Sequence, residues 1–357
     1  MSCDMDGLLT QVLPSEMLEN MENQMAALFG EMNFSYRTFF GMLLEGRIQE
    51  GIAYLSECIK GLGVSQISAG KKLLLSVLLM GILGSILQLV SESAIQKQIA
   101  QTGQYLLVCI AATILLGICE EGYQICSAFL AKEEQFLQIL LPVFCMTLTL
   151  ESGAVTGYGY YQLTLLILYY MQLVIKCVFF PAIRVYAAFV LLNNLGKKKR
   201  FEQMQNLCKQ VIEWGTKAGM YVGIGSFWLQ GSLYPKLDAN RRNLLIKGVG
   251  MIPGIGDISE NASSILIGAL QLTKSCLGIA GAAGILLLLI VPILKAGAAG
   301  VGMKLIGSLL QMLGEKRISE IADQIGTAQF CFVRLLLCEA GILLISLAVI
   351  ALCTSHG

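Results

Sequence analysis

The chain has 357 residues, 55% of them hydrophobic and only 14% charged, with a formal net charge of +1. That is too apolar for an ordinary soluble domain, and the even charge balance excludes the basic or acidic bias expected of a nucleic-acid partner. A mean hydropathy of +0.70 points instead to lipid as the solvent.

Residues 1–70 read as an N-terminal amphipathic helical region outside the membrane. Leu18, Met21, Met25 and Leu28 form one stripe, and Phe40, Leu43, Leu44, Ile48, Ile52, Leu55, Ile59 and Leu62 another. These spacings of three and four give helices with one wet face, which carries Glu16, Glu19, Glu45, Arg47 and Glu50. No basic stretch followed by an apolar core opens at Met1, so no cleavable signal peptide is expected.

Seven apolar stretches follow, at 73–90, 105–131, 136–150, 163–192, 218–234, 276–294 and 330–353. A bilayer core of about 30 Å takes roughly 20 helical residues, and none of these runs alternates with the period of two that a barrel strand needs. The expected fold is therefore all-α, a polytopic helical membrane protein of about seven spans. A first membrane bundle of about four spans occupies 71–196, a basic and amphipathic connector 197–217, and a second bundle of about three spans 218–357. Lys197, Lys198, Lys199 and Arg200 should face the cytoplasm. Orientation stays open, because 163–192 reads either as one bent helix or as two short passes broken near Pro181.

Catalytic and metal chemistry find little support. The single histidine is His356, which leaves no histidine-based triad, metal site or proton relay within the spans. There is no phosphate-binding loop or dinucleotide fingerprint, and no Cys-x-x-Cys pair among the 12 cysteines, most of which sit in apolar runs as small packing residues. No metal and no cofactor are expected, and no nucleic acid.

Ionisable residues in the spans are better leads, since a charge at mid-bilayer costs at least about 3 kcal/mol unless it finds a partner or reaches the interface. Glu120, Glu121, Lys176, Arg184, Arg334 and Glu339 are candidates for polar contacts between helices, and Lys295 for snorkelling at a span end. Arg334 and Glu339 lie about 140° apart around a helix, so each should reach a different neighbour. Gly219, Gly223, Gly278, Gly281 and Gly284 fall at spacings that let helices approach closely in lipid. At 248–257, by contrast, Gly250, Pro253, Gly254, Gly256 and Asp257 belong to a run that cannot continue a regular helix. Such a break is either a loop or a re-entrant element lining a pathway.

At this run the sequence resembles the stage III sporulation protein AE family of endospore-forming bacteria. The resemblance rests on Ile252-Pro-Gly-Ile-Gly-Asp257, the polar 259–264, Lys274-Ser-Cys-Leu-Gly278 and the span ending in Pro292-Ile-Leu-Lys295. Gly70-Lys-Lys-Leu-Leu74, running to Ile86-Leu-Gln-Leu-Val90, is an earlier echo, and the order of spans fits over 70–353. The resemblance implies a non-enzymatic scaffold or conduit subunit of a secretion-like channel complex, in the mother-cell membrane around the forespore. Its implied partners are the lipid bilayer and other stage III sporulation A-operon proteins, including an ATPase and ring-forming subunits, with the forespore protein Q contacted indirectly. A stand-alone secondary transporter or small-molecule permease is the alternative. It would need two broken helices in corresponding halves, and the sequence offers one break and no clear internal repeat.

Overall fold

The computed structural model describes residues 23–25, 27–29, 34–66, 71–91, 97–152, 154–195, 200–249 and 256–353. Every regular element among them is helical: α1 (Tyr36–Leu44), α2 (Ile48–Gln66), α3 (Lys71–Ser91), α4 (Lys97–Ser152), α5 (Ala154–Val174), a π-helical turn (Ile175–Phe179), α6 (Phe180–Leu195), α7 (Glu202–Val249), α8 (Gly256–Met312) and α9 (Lys316–Cys353). Four helical stretches are long and apolar enough to cross a bilayer, Thr102–Thr147, Gln162–Leu195, Ser275–Met312 and Lys316–Ala348, with a shorter apolar piece at Leu74–Ile86. The protein is a helical membrane protein, as its composition predicts.

The helices are longer than the apolar stretches. Runs 105–131 and 136–150 lie on one 56-residue helix, α4, which would extend about 84 Å if straight. Between them stand Lys132, Glu133 and Glu134, good helix formers with no glycine or proline among them, so the polar interruption does not break the backbone. Likewise the amphipathic 201–214 and the apolar 218–234 share the 48-residue α7. The stretch 163–192 is one continuous helical path, the bent alternative, with the π turn just ahead of Pro181. Proline has no N–H to donate to the carbonyl four residues back, and the widened turn, in which Phe180 N–H reaches Ile175 O, absorbs the mismatch.

α8 and α9 form the centre. More of their apolar windows is buried, 56% and 61%, than of those on α4 and on α5–α6, 39% each. They fold back on each other through a glycine turn. Gly314 has φ 91°, and its N–H donates to Gln311 O while Glu315 N–H donates to Leu310 O, the paired bonds of a Schellman stop. Gly46 (φ 74°) ends α1 in the same way, with Gly46 N–H on Leu43 O and Arg47 N–H on Met42 O. Along the hairpin the backbones nearly touch. A Cβ on Gly326 would stand 3.0 Å from Gly300 O, and one on Gly307 3.0 Å from Ser319 O. Ser319 Oγ also donates to Gly307 O at 2.7 Å. Small residues thus replace apolar burial as the source of helix affinity in lipid, through close packing.

α1 begins at Ser35, whose hydroxyl caps the Thr38 N–H. Here the N-terminal region is tied to the bundle by aromatic rings. Phe29 stands edge-on to Phe34 (centroids 5.2 Å apart) and to Phe136 of α4 (5.9 Å), and Phe34 stacks on Tyr54 of α2 (5.8 Å). Outward, Leu75, Leu79, Leu83 and Ile86 form an exposed stripe on α3, and α5 exposes Leu166, Tyr169, Tyr170 and Leu173. Stripes of this kind suit acyl chains.

Candidate functional site

The polar groups of the bundle fall into two levels along α4 and α9. At the first, Gln329 of α9 is 1% exposed and its Nε2 donates to Ile118 O of α4 at 2.6 Å. The close approach needs Gly122, where a Cβ would collide with the Gln329 amide. Outside this contact lie two ion pairs. Arg184 of α6 reaches Glu120 of α4 at 2.8 Å and covers the Tyr123 ring with its guanidinium, 3.9 Å from the centroid. Arg334 of α9 reaches Glu213 of α7, also at 2.8 Å. The side chains of both pairs are one-third to one-half exposed. Glu213 lies on α7 ahead of the apolar 218–234, and the hydrogen bond from Arg334 holds its carboxyl below the usual carboxylate range.

The second level lies deeper. Glu133 of α4 and Glu339 of α9 are 1% and 0% exposed, and close enough to interact electrostatically. None of their four carboxylate oxygens has a hydrogen-bond partner among the described residues. Gln172 of α5 donates its Nε2 to Leu130 O, one turn before Glu133, at 3.5 Å. Lys176, exposed in the π turn, acts electrostatically on Glu339. Cys126 lies two turns before Glu133 and is felt by both carboxylates, while Cys338 adjoins Glu339 in sequence. The two levels place α4 and α9 in the same direction, since Gln329 bonds Ile118 O and, further along both helices, Glu339 acts electrostatically on Glu133.

Of the residues singled out from sequence, Glu120 and Arg184 meet each other, and Arg334 and Glu339 face different neighbours, as their 140° separation requires. Glu121 is half-buried beside the first level. Lys295, half-buried on α8, joins neither level. Glycines of the second bundle sit at helix contacts. A Cβ on Gly219 would stand 3.1 Å from the Met171 methyl, one on Gly223 2.9 Å from Ile342, one on Gly281 2.7 Å from Leu140 and one on Gly284 2.7 Å from Phe136. Gly278 is buried. Gly250, Pro253 and Gly254 lie outside the described residues, and Gly256 and Asp257 open the backbone of α8.

Glu133 is the residue that sequence reasoning missed. It stands in a polar triplet between the two apolar stretches 105–131 and 136–150. The signal was the buried stripe Cys126, Phe129, Leu130, Phe136, Leu137 and Leu140, into which Glu133 fits at spacings of three and four. No group of three or more histidine, cysteine or acidic side chains suited to a metal ion occurs among the described residues.

The comparison with known proteins follows this architecture. The family model described as stage III sporulation protein AE matches residues 34–354, from just before α1 to the end of α9. Stage III sporulation protein AE of Bacillus subtilis (strain 168) is 22% identical over 251 residues, which cover 70% of this chain and 63% of that protein. The match thus spans less than two thirds of the relative's length. No solved structure matches. With a family model covering nearly its whole length, the chain belongs to the stage III sporulation protein AE family.

Proposed function

We propose that this protein is a non-enzymatic scaffold or conduit subunit of a channel complex joining mother cell and forespore. It would sit in the mother-cell membrane, beside an ATPase and ring-forming subunits encoded in the same sporulation operon. The observation that carries this reading is the family match over 34–354, laid on a bundle whose helices are built to pack in lipid. The polar features agree with it. Arg184 with Glu120 and Arg334 with Glu213 are paired between helices, and half-exposed ion pairs of this kind suit contact with a neighbouring subunit or with the interface. The glycine and proline run between α7 and α8 would form a break at the pathway, with Pro253 and Gly254 inside it and Gly256 and Asp257, which the sequence placed in the break, instead opening α8.

Purification of the intact protein from sporulating cells in mild detergent tests the reading. A discrete assembly containing further membrane and ATPase subunits is the expected result. A lone chain that supports saturable solute uptake in liposomes would overturn it in favour of a transporter. The double substitution Pro253→Leu with Gly256→Leu should abolish sporulation while the protein still inserts into the membrane, and normal spore yield would remove the break from the mechanism.

A further inference from the structure

We propose that Glu133 and Glu339 form a proton-binding site inside the bundle, in which one proton is held between the two carboxylates. The inference does not rest on the conduit reading, because it follows from the α4–α9 contact itself.

Both side chains are buried from solvent, and all four oxygens lack a hydrogen-bond donor among the described residues. An ionised carboxylate accepts and never donates, so two of them buried within electrostatic reach of each other can only repel. The charged and titratable groups around the pair are few. Lys176 in the π turn acts on Glu339, Cys126 lies on α4 and Cys338 on α9, and the Gln172 amide donates to Leu130 O. One lysine, itself exposed, against two buried carboxylates leaves one negative charge uncompensated within apolar helices. A single proton removes that charge and also supplies the missing donor, as an O–H from one carboxyl to the other's oxygen, a short charge-assisted bond. The two groups would then titrate as one unit.

A metal cation fits less well. Sodium or calcium takes several oxygen ligands, and the Lys176 ammonium that acts on this pair would repel it. The pair also bridges two long helices, so gain or loss of the proton would change how α4 and α9 hold together. Protonated, the pair is hydrogen-bonded and carries a single negative charge, which Lys176 balances. Deprotonated, it carries two like charges and opens to water or to Lys176.

Infrared spectroscopy of the full-length protein in detergent tests this at neutral pH. The expected spectrum contains the carbonyl stretch of a protonated carboxylic acid, which shifts in heavy water, fades at alkaline pH and is insensitive to sodium. Loss of the band in the Glu133→Gln/Glu339→Gln double variant assigns it to the pair. If that variant fails to fold, the unaltered protein decides alone: a band that titrates away as pH rises supports the site, and its absence at neutral pH overturns it. Survival of the band in a folded double variant would also overturn the proposal. So would a band that sodium abolishes at constant pH, which would mark a cation site.

Discussion

The two seams of α9 are built on opposite principles. Against α8 it presents Gly326 to Gly300, and its Ser319 carbonyl to Gly307, so two backbones lie close and few polar side chains intervene. Against α4 it presents Gln329 and Glu339, polar groups placed where only apolar side chains would be expected. The first seam is set by backbone contact, with the Lys304–Asp323 ion pair at 3.0 Å on its exposed edge. The second depends on the state of its hydrogen bonds and charges. In lipid, then, close backbones give one helix pair its permanence, and buried polar groups give the other the capacity to respond.

The largest expected effect is on the permanent seam. Gly326→Leu or Gly307→Leu forces a side chain against backbone, not against the yielding end of a flexible neighbour, and should destabilise the hairpin by at least the ~1–3 kcal/mol typical of overpacking. Thermal melts in detergent should show a clear fall in midpoint. An unchanged midpoint would mean that α8 and α9 are not in backbone contact. Gly341→Ala, with open space around its Cβ position inside α9, is the control and should not lower the midpoint.

At the responsive seam, Gln329→Met removes the donor to Ile118 O, a carbonyl placed to accept within its own helix as well, along with an amide oxygen that has no partner. The net change should stay within about 1 kcal/mol. A much larger loss would show that the glutamine fixes the α4–α9 register.

The smallest effect is expected at the flank. A double-mutant cycle on Glu213 and Arg334 should give a coupling below about 1 kcal/mol if water reaches the half-exposed pair. Coupling well above that would place it against lipid or a partner subunit. The sign of its pH dependence follows from the lowered carboxyl. The stabilisation is present above the unfolded-state value of Glu213 and is lost as pH falls through its folded-state value. The cycle repeated in acid should therefore return a smaller coupling.

Sequence patterning made the membrane class and the helical fold legible, because hydropathy acts locally along one helix. It could not separate a polar loop from a polar turn within a continuous helix. Lys132-Glu133-Glu134 marked a boundary in hydropathy but carried no breaker, so α4 runs on through it. Partner choice was also out of reach. Glu120 and Arg184 were each visible as costly charges, yet their meeting depends on how α4 and α6 cross, which no spacing along the chain encodes.

The Phe29 ring lies against Phe136 of α4 and would touch a Cβ on Gly284 of α8 at 3.4 Å. Its seat is thus completed by α8, which is synthesised long after it, with α1 to α7 in between. The ring cannot be fully enclosed while the early helices are inserting, and it must wait until α8 has been made. Docking of that aromatic wedge would then be a late step that reports a finished fold, which a protease site placed ahead of Phe29 could time in a synchronised insertion experiment.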